Sequence, residues 1–308
     1  MAAMKKAYEK YIGKLDVPHD KTIVITGGNS GIGFSVAKEL LPFDWKIILA
    51  VRSLERGERA KADLLKIKED ADISVYELDV SSPTSIEAFA RRLQEEKLDV
   101  DVFYCNAGVY RIPLSFNEEG LETTAATNFV GNYLLYEKLK GYFHTLPHEV
   151  RLILTSSITA RFEKWNYEDF FGNKKYHKAK AYGRSKVGVN CLFRHIVDEE
   201  KGTNILPLLV HPGITYTPLI NKAYKGKRFQ LAANRFVRLF FHPVDKAAIS
   251  TLYLLQPKIK DPCFCGPRGP FHISGYPTTY RLYAGNTKQY KEIVSSIESA
   301  REANNDHK

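Results

Sequence analysis

Short apolar runs alternate along the chain with longer segments in which apolar residues recur at helical spacing. Seven of these runs predict buried strands, over residues 22–25, 46–51, 73–78, 100–105, 151–155, 204–210 and 271–273. The segments between them predict amphipathic helices, including residues 34–41, 56–69, 82–96, 120–139 and 182–201. This alternation predicts an α/β fold, in which helices cover both faces of a parallel sheet.

No linker rich in proline, glycine or serine and no internal repeat divides the 308 residues. We therefore predict one domain over residues 21–276, with a polar extension over 1–20 and a helical tail over 277–308. Within the domain we expect two special segments, an insertion rich in aromatic and lysine side chains and a segment on the substrate side, over residues 159–181 and 218–243.

Basic and apolar side chains are interleaved over residues 221–241. We interpret this stretch as a flap over a ligand cleft. The alternatives are a basic amphipathic helix on a membrane surface and a subunit contact.

The composition argues against several classes of protein. Hydrophobic residues make up 44% of the chain, as in ordinary globular proteins, and the apolar runs are too short to span a bilayer. Residues 1–20 have neither the apolar core nor the cleavage site of a secretory signal, so we expect a cytoplasmic protein. Four scattered cysteines are too few for a disulfide framework. The pair Cys263-x-Cys265 lacks further ligands nearby, so we expect no metal site.

The formal net charge of +10 suggests an anionic partner. However, the basic residues are spread along the chain and form no recognised nucleic-acid motif, so we do not predict nucleic-acid binding. We expect part of the excess positive charge to serve an anionic cofactor.

A glycine-rich turn joins the first predicted strand to the first predicted helix. Its sequence runs Thr26-Gly27-Gly28-Asn29-Ser30-Gly31-Ile32-Gly33. Glycines lack a Cβ, so this backbone can turn sharply and approach a ligand, while the following helix directs its N–H groups and positive dipole end at the turn. The spacing differs from the standard dinucleotide fingerprint, and Phe34 stands where a P-loop requires lysine. The turn predicts a nucleotide site.

Two arginines near the end of the second predicted strand indicate which nucleotide binds. At this point of a dinucleotide-binding unit an acidic residue bonds the ribose 2′-hydroxyl, whereas an arginine accommodates a 2′-phosphate. Arg52 directly follows the strand, and Arg56 lies one helical turn further on. Guanidinium groups bind phosphate through paired, charge-assisted hydrogen bonds. We therefore predict a preference for NADP over NAD.

Tyr182 and Lys186 are candidates for acid–base chemistry. They are four residues apart in a predicted helix, so their side chains share one face. A tyrosine with an ordinary pKa of about 10 is a poor acid or base at neutral pH. A neighbouring ammonium group is expected to lower that pKa toward the working range.

The glycine turn, the Tyr-x-x-x-Lys pair and the order of the motifs from residue 21 to 274 resemble the short-chain dehydrogenase/reductase family. The resemblance implies a single-domain, Rossmann-type doubly wound parallel sheet with helices on both faces. Within the family the chain is similar to the retinol-dehydrogenase-like group. The similarity lies in Ala50-Val51-Arg52-Ser53, the insertion before Tyr182 and Gly266-Pro267-Arg268-Gly269.

The resemblance also implies roles for individual residues. Ser157, with Ser156 as the alternative, would orient the substrate oxygen. Asn128, with Asn132 as the alternative, would link the lysine to solvent through a water and complete a proton relay. The expected cofactor-binding positions, besides the tyrosine and lysine, are Gly27, Asn29, Ser30, Gly31, Ile32, Gly33, Arg52, Arg56, Asp79, Val80, Asn106, Ala107, Gly108, Pro212, Gly213, Thr215 and Thr217.

The implied activity is NADP(H)-dependent hydride transfer that interconverts an alcohol and an aldehyde or ketone, on a substrate expected to be bulky and apolar. Tyr182 would give or take the proton, and Lys186 would lower its pKa and bind the nicotinamide ribose. The alternative is a non-catalytic NADP(H)-binding sensor or scaffold on the same fold. Family members usually form homodimers or homotetramers, and we expect the same here.

Overall fold

The computed structural model describes residues 8–163, 176–213, 244–269, 275–280, 290–292 and 294–295. The strands are β1 (Thr22–Thr26), β2 (Lys46–Val51), β3 (Ile73–Glu77), β4 (Val102–Cys105), β5 (Val150–Thr155), β6 (Ile205–Val210), β7 (Cys263–Pro267) and β8 (Pro277–Tyr280). The helices are α1 (Gly31–Leu40), α2 (Leu54–Leu65), α3 (Pro83–Glu95), α4 (Gly131–His144), α5 (Lys178–Glu199) and α6 (Val244–Leu254). Shorter helical turns are Leu41–Phe43, Thr123–Ala125, Ala126–Val130 and Ile158–Arg161, of which the third is a π-helical turn.

The strands form one sheet in the order β3-β2-β1-β4-β5-β6-β7-β8. Strands β1 to β7 run parallel, and β8 is antiparallel to β7. From β1 the chain winds outward to β3 and then returns to β4 on the other side of β1. The connections that leave β1 and β4 therefore diverge at a switch point, where sheets of this kind bind their ligands.

Successive strand residues point to opposite faces of the sheet and enter two separate hydrophobic clusters. In β1, Val24 packs in a cluster with Leu192 of α5, whereas Ile23 and Ile25 pack in a second cluster with Leu40 of α1. Burying each such side chain contributes about 1.5–3 kcal/mol to the free energy of unfolding, before conformational entropy is counted. Helices thus cover both faces, which confirms the predicted single-domain, doubly wound α/β fold.

The N-terminal segment differs from the polar extension predicted over residues 1–20. Residues 8–12 are helical, and Tyr8, Leu15 and Val17 are buried in the same cluster as α1. These apolar residues are widely spaced among charged ones, so the sequence pattern does not indicate that they enter a core.

The edge of the sheet also differs from the sequence prediction. The seventh predicted strand, over residues 271–273, lies outside the described residues, and the structure builds β7 from Cys263–Pro267. Strand β8 follows in the segment predicted as a helical tail, so the sheet continues beyond residue 276. Phe264 and Cys265 are buried in β7, where the cysteine acts as a small apolar residue.

Several predicted features lie outside the described residues. They are residues 164–175 of the insertion, the segment 218–243, Thr215 and Thr217. Among the helices that the structure describes, none has both the length and the apolar character needed to cross a membrane. The membrane-surface and flap interpretations of residues 221–241 stay predictions.

Candidate active site

A cleft of about 400 Å³ runs along the carboxyl ends of strands β1 to β6, at the switch point of the sheet. The predicted site residues that line it are Gly27, Asn29, Ser30, Gly31, Ile32, Arg52, Arg56, Asp79, Val80, Asn106, Ala107, Gly108, Ser157, Tyr182, Pro212 and Gly213. Three further predicted residues do not line the cleft themselves but each lies beside a residue that does; they are Gly33, Asn128 and Lys186. The structure therefore brings most of the predicted positions to one place.

The turn after β1 requires its glycines for two different reasons. Gly27 and Gly31 have φ angles of +65° and +58°, which residues with a Cβ rarely adopt. At Gly33 the reason is space, because a Cβ there would lie 2.6 Å from the Asn106 amide nitrogen. Helix α1 begins at Gly31, and the Ser30 hydroxyl makes no capping hydrogen bond to it. The first N–H groups of α1 can therefore receive an anionic group from the cleft.

Thr26, the first residue of the glycine turn but not one of the predicted site positions, links the turn to the end of β4. Its Oγ1 accepts hydrogen bonds from the backbone N–H groups of Asn106 (3.0 Å) and Ala107 (2.9 Å). The Asn106 side chain in turn donates to the Thr26 carbonyl oxygen (2.9 Å). These bonds hold two neighbouring strand ends at a fixed separation, so Asn106 stabilises the wall of the cleft.

Positive charge gathers where β2 ends. The Arg52 side chain is 65% exposed, and its Nη1 lies 3.8 Å from Oδ2 of Asp79. The other carboxylate oxygen of Asp79 accepts hydrogen bonds from the Ser81 N–H (2.9 Å) and hydroxyl (2.6 Å). Arg56 lies in the first turn of α2, whose N-terminus is capped by the Ser53 hydroxyl. This corner of the cleft presents two guanidinium groups to a ligand.

The two serines after β5 have different surroundings. Ser156 is buried and donates a hydrogen bond from Oγ to Oδ1 of Asn190 (2.6 Å). Ser157 lines the cleft, where its Oγ accepts hydrogen bonds from the Thr159 N–H (3.3 Å) and hydroxyl (3.0 Å). Ser157 is also hydrogen-bonded to the side chain of Tyr182. The geometry therefore favours Ser157 over Ser156 as the serine that faces a ligand.

Tyr182 and Lys186 lie one turn apart on α5, as their spacing predicts. The Lys186 Nζ donates to the Thr155 carbonyl oxygen (2.7 Å) and lies 5.8 Å from the centre of the Tyr182 ring. Burial raises the pKa of Tyr182 to about 12, against the opposing effect of its hydrogen bond with Ser157. Burial also lowers the pKa of Lys186 to about 8. In this structure burial, rather than the lysine, therefore sets the pKa of the tyrosine.

Asn128 lies in the π-helical turn before α4, a departure from α-helix that is frequent at functional sites. Its amide accepts from the Val109 N–H (2.7 Å) and donates to the Val109 carbonyl (2.9 Å) and the Ser185 hydroxyl (3.0 Å). The Ser185 hydroxyl then donates to the Tyr182 carbonyl (2.7 Å). Asn132 only supports this arrangement, by donating to the Asn128 carbonyl (2.8 Å). Asn128 thus fastens the end of β4 to α5.

The end of β6 closes the far side of the cleft. His211 is buried and donates from its backbone N–H to the Cys265 carbonyl oxygen (2.7 Å), while Pro212 and Gly213 line the cleft. Gly213 has a φ of +81°, so glycine is favoured at the point where the chain turns over the site.

The cleft is also lined by residues that are not among the predicted site positions, namely Ser53, Leu78, Val109, Tyr110, Thr127, Ile158, Thr159 and His211. Most of them directly follow or precede a predicted site residue, and that adjacency is the only signal the sequence offers. Ser185 directly precedes Lys186, but the sequence does not indicate its role, because that role depends on contact with Asn128, 57 positions away.

Comparison with known proteins places this site in a family. Residues 21–228 match the model of short chain dehydrogenases. Retinol dehydrogenase 14 of Mus musculus is 34% identical over 65% of this chain and 63% of its own length, and the human protein of that name is 32% identical over 77% and 74%. The chloroplastic short-chain dehydrogenase TIC 32 A of Brassica napus is 30% identical over 80% and 79%. The chain thus spans less than two thirds of the mouse retinol dehydrogenase.

Solved structures share the fold. A protein from Mycobacterium paratuberculosis, described as putative and uncharacterized, has a TM-score of 0.73 at 24% identity and covers 94% of this chain and 97% of its own. Pseudomonas aeruginosa RhlG, solved as an NADP active-site complex, has a TM-score of 0.64 at 20% identity over 83% and 97%. The family match and the retinol dehydrogenase relatives confirm the resemblance drawn from the motifs. The chain belongs to the short-chain dehydrogenase family, whose members bind NAD or NADP.

Proposed function

We propose that the protein is an NADP(H)-dependent oxidoreductase that interconverts an alcohol and an aldehyde or ketone. The observation that carries this proposal is the convergence of Ser157, Tyr182 and Lys186 on the cleft that also holds the glycine turn. A protein that only binds the cofactor would need the glycine turn but not these three side chains. The three side chains add a proton donor, its charged neighbour and a hydrogen-bonding partner for a carbonyl oxygen.

The residues of the cleft support a dinucleotide cofactor that carries a 2′-phosphate. The backbone of the glycine turn lines the cleft, and the N-terminus of α1 suits the diphosphate. Arg52 and Arg56 stand where an NAD-specific site has an acidic residue. The bound cofactor supplies or accepts the hydride, while the chain supplies placement and electrostatics.

The protonation states suit carbonyl reduction. With a pKa of about 12, Tyr182 carries its proton at neutral pH and can donate it to the carbonyl oxygen that Ser157 holds. With a pKa of about 8, Lys186 is mostly charged at neutral pH and stabilises the phenolate that remains. Asn128 completes the relay from the side of α4 through a bridging water. Alcohol oxidation uses the same groups in reverse.

The relatives and the aromatic insertion support a proposal for the substrate class. Relatives named retinol dehydrogenases favour a bulky, apolar alcohol or aldehyde of retinoid-, steroid- or lipid-like character. The aromatic residues of the segments 159–181 and 221–241 support the same interpretation. A homodimer or homotetramer and a cytoplasmic location stay predictions, and light scattering coupled to gel filtration measures the first.

The test is cofactor oxidation with a panel of aldehydes, ketones and quinones that includes all-trans-retinal, run with NADPH and with NADH. We expect turnover with NADPH to exceed turnover with NADH. Tyr182→Phe should abolish turnover and leave the Kd for NADPH nearly unchanged. Near-normal turnover by that variant would overturn the assignment, and tight NADPH binding without turnover of any compound would indicate a sensor or scaffold.

A further inference from the structure

Tyr110 lines the cleft but has no part in the relay described above. Its ring centre lies 4.7 Å from that of Tyr182, and the two ring planes meet at 89°. Aromatic pairs favour this perpendicular, edge-to-face arrangement, because the positive edge of one ring meets the negative face of the other. The two rings are therefore in contact at the point where the proposed proton donor reaches the cleft.

The backbone on both sides of Tyr110 is held in place. The Asn128 amide bonds both the N–H (2.7 Å) and the carbonyl (2.9 Å) of Val109. Arg111 has a φ of +52°, an uncommon conformation for a residue with a Cβ, and its guanidinium carbon lies 6.0 Å from the centre of the Tyr110 ring. Tyr110 thus lies between a loop backbone fixed by Asn128 and the Arg111 side chain beside its ring.

Asn128 also reaches Tyr182 by a second route. Its Nδ2 donates to the Ser185 hydroxyl (3.0 Å), which donates to the Tyr182 carbonyl (2.7 Å). One buried amide therefore positions both the loop after β4 that carries Tyr110 and the helical turn that carries Tyr182. The contact between the two rings is therefore supported by hydrogen bonds from Asn128 to the backbone segments that carry both tyrosines.

We propose that Tyr110 is a positioning residue, whose ring fixes the plane of the Tyr182 ring beside Ser157 and shields the Tyr182 hydroxyl from water. The proposal rests on the proposed function, because it takes Tyr182 as the proton donor. Burial is the main cause of the raised pKa of Tyr182, and the charge of the Tyr110 hydroxyl, when ionised, makes a smaller contribution in the same direction. Loss of the Tyr110 ring should therefore loosen the proton donor and make its ionisation easier.

The experiment compares Tyr110→Leu, which removes the ring, with Tyr110→Phe, which removes only the hydroxyl. Tyr11→Leu is the matched control, since Tyr11 also stacks on a tyrosine (Tyr276, 4.4 Å between centres) but does not line the cleft. The first readout is kcat and KM for NADPH-dependent reduction of all-trans-retinal. The second needs no turnover: fluorine NMR of protein labelled with 3-fluorotyrosine follows the ionisation of Tyr182, whose signal is the one that Tyr182→Phe removes.

We expect Tyr110→Leu to lower kcat about tenfold or more, with the Kd for NADPH changed by less than about twofold. The fluorine signal of Tyr182 should begin to titrate about half a pH unit lower or more, because water now reaches the hydroxyl. Tyr110→Phe should keep most of kcat and shift the titration of Tyr182 less than Tyr110→Leu does, and Tyr11→Leu should match wild type in both readouts. Tyr110→Met replaces Tyr110→Leu if the latter does not fold.

Two results would overturn the proposal. One is an unchanged kcat and Tyr182 titration in Tyr110→Leu, and the other is an equal loss in Tyr110→Phe, which would assign the effect to the hydroxyl. Failure of the proposed function itself is recognised separately. In that case wild type turns over no carbonyl compound, or Tyr182→Phe stays active, while the fluorine titration still reports whether Tyr110 shields Tyr182.

Discussion

Ser156 and Ser157 are neighbours in sequence with opposite surroundings. Ser157→Ala should lower kcat/KM about 10²–10³-fold, because a hydrogen-bonding group at the reacting oxygen is lost. Ser156→Ala should cost about 1–2 kcal/mol in the free energy of unfolding, because the buried Asn190 amide loses a partner, and should change the rate much less. Steady-state kinetics and urea unfolding of both variants measure this difference. Equal losses of rate would show that the structure assigns the wrong serine.

Lys186 gives the reduction reaction a pH dependence. As the pH rises through about 8 the buried ammonium loses its proton, whereas Tyr182, with a pKa of about 12, stays protonated. We therefore expect kcat/KM for carbonyl reduction to fall through this range in wild type. Lys186→Met should be slow and should show no transition near pH 8. Lys201→Met, which removes an exposed lysine, is the control, and a transition that persists in Lys186→Met would refute the assignment.

At the scale of single residues, the sequence predicts which side chains take part in the reaction better than it predicts the burial and the contacts of those side chains. The four-residue spacing of Tyr182 and Lys186 is enough to place them on one helix face. The pKa of the tyrosine could not be predicted, because it depends on burial by segments far away in sequence. The contacts of Thr26 with Asn106 and Ala107, about 80 positions later, likewise exist only in the fold.

Helix α4 contains two glycines with opposite surroundings, Gly131 and Gly141. A Cβ at Gly131 would overlap the Val80 carbonyl oxygen, whereas a Cβ at Gly141 would meet nothing within 4 Å. Gly131→Ala should therefore lower the free energy of unfolding by about 3 kcal/mol, because backbone must move. It should also weaken NADPH binding, since Val80 lines the cleft.

Gly141→Ala is the matched control in the same helix. It should raise the free energy of unfolding by about 0.5–1 kcal/mol, because alanine loses less conformational freedom than glycine. Urea unfolding at neutral pH measures both variants. A Gly131→Ala protein as stable as the Gly141→Ala protein would contradict the close approach of α4 to the chain after β3.

The elements differ in how well the sequence predicts them. Strand β2 is predicted at both ends, because its apolar run is bounded by charged residues. The π-helical turn Ala126–Val130 lies inside one predicted helix, since a change of backbone hydrogen-bond partner leaves the apolar spacing unchanged. Strand β7 and helix α6 are not predicted. Two cysteines occupy the short apolar run of β7, and α6 directly follows the segment 218–243, which we interpret as a segment on the substrate side.

At the scale of the molecule, strand–helix alternation and short right-handed connections leave few possible topologies, so the sheet and its switch point are predictable. The walls of the cleft are less so, because they come from six strand ends that meet only in the fold. The net charge of +10 agrees with an anionic cofactor but identifies none. The claim that most needs a measurement is therefore that hydride transfer from NADPH takes place in this cleft.

The most direct measurement is a single turnover with NADPH that carries deuterium at both C4 positions of the nicotinamide, with all-trans-retinal as acceptor. Mass spectrometry of the product should find one deuterium on the carbinol carbon for wild type. Tyr182→Phe should bind the labelled NADPH and form no labelled alcohol. Alcohol without deuterium, or labelled alcohol at the wild-type rate from Tyr182→Phe, would contradict the account.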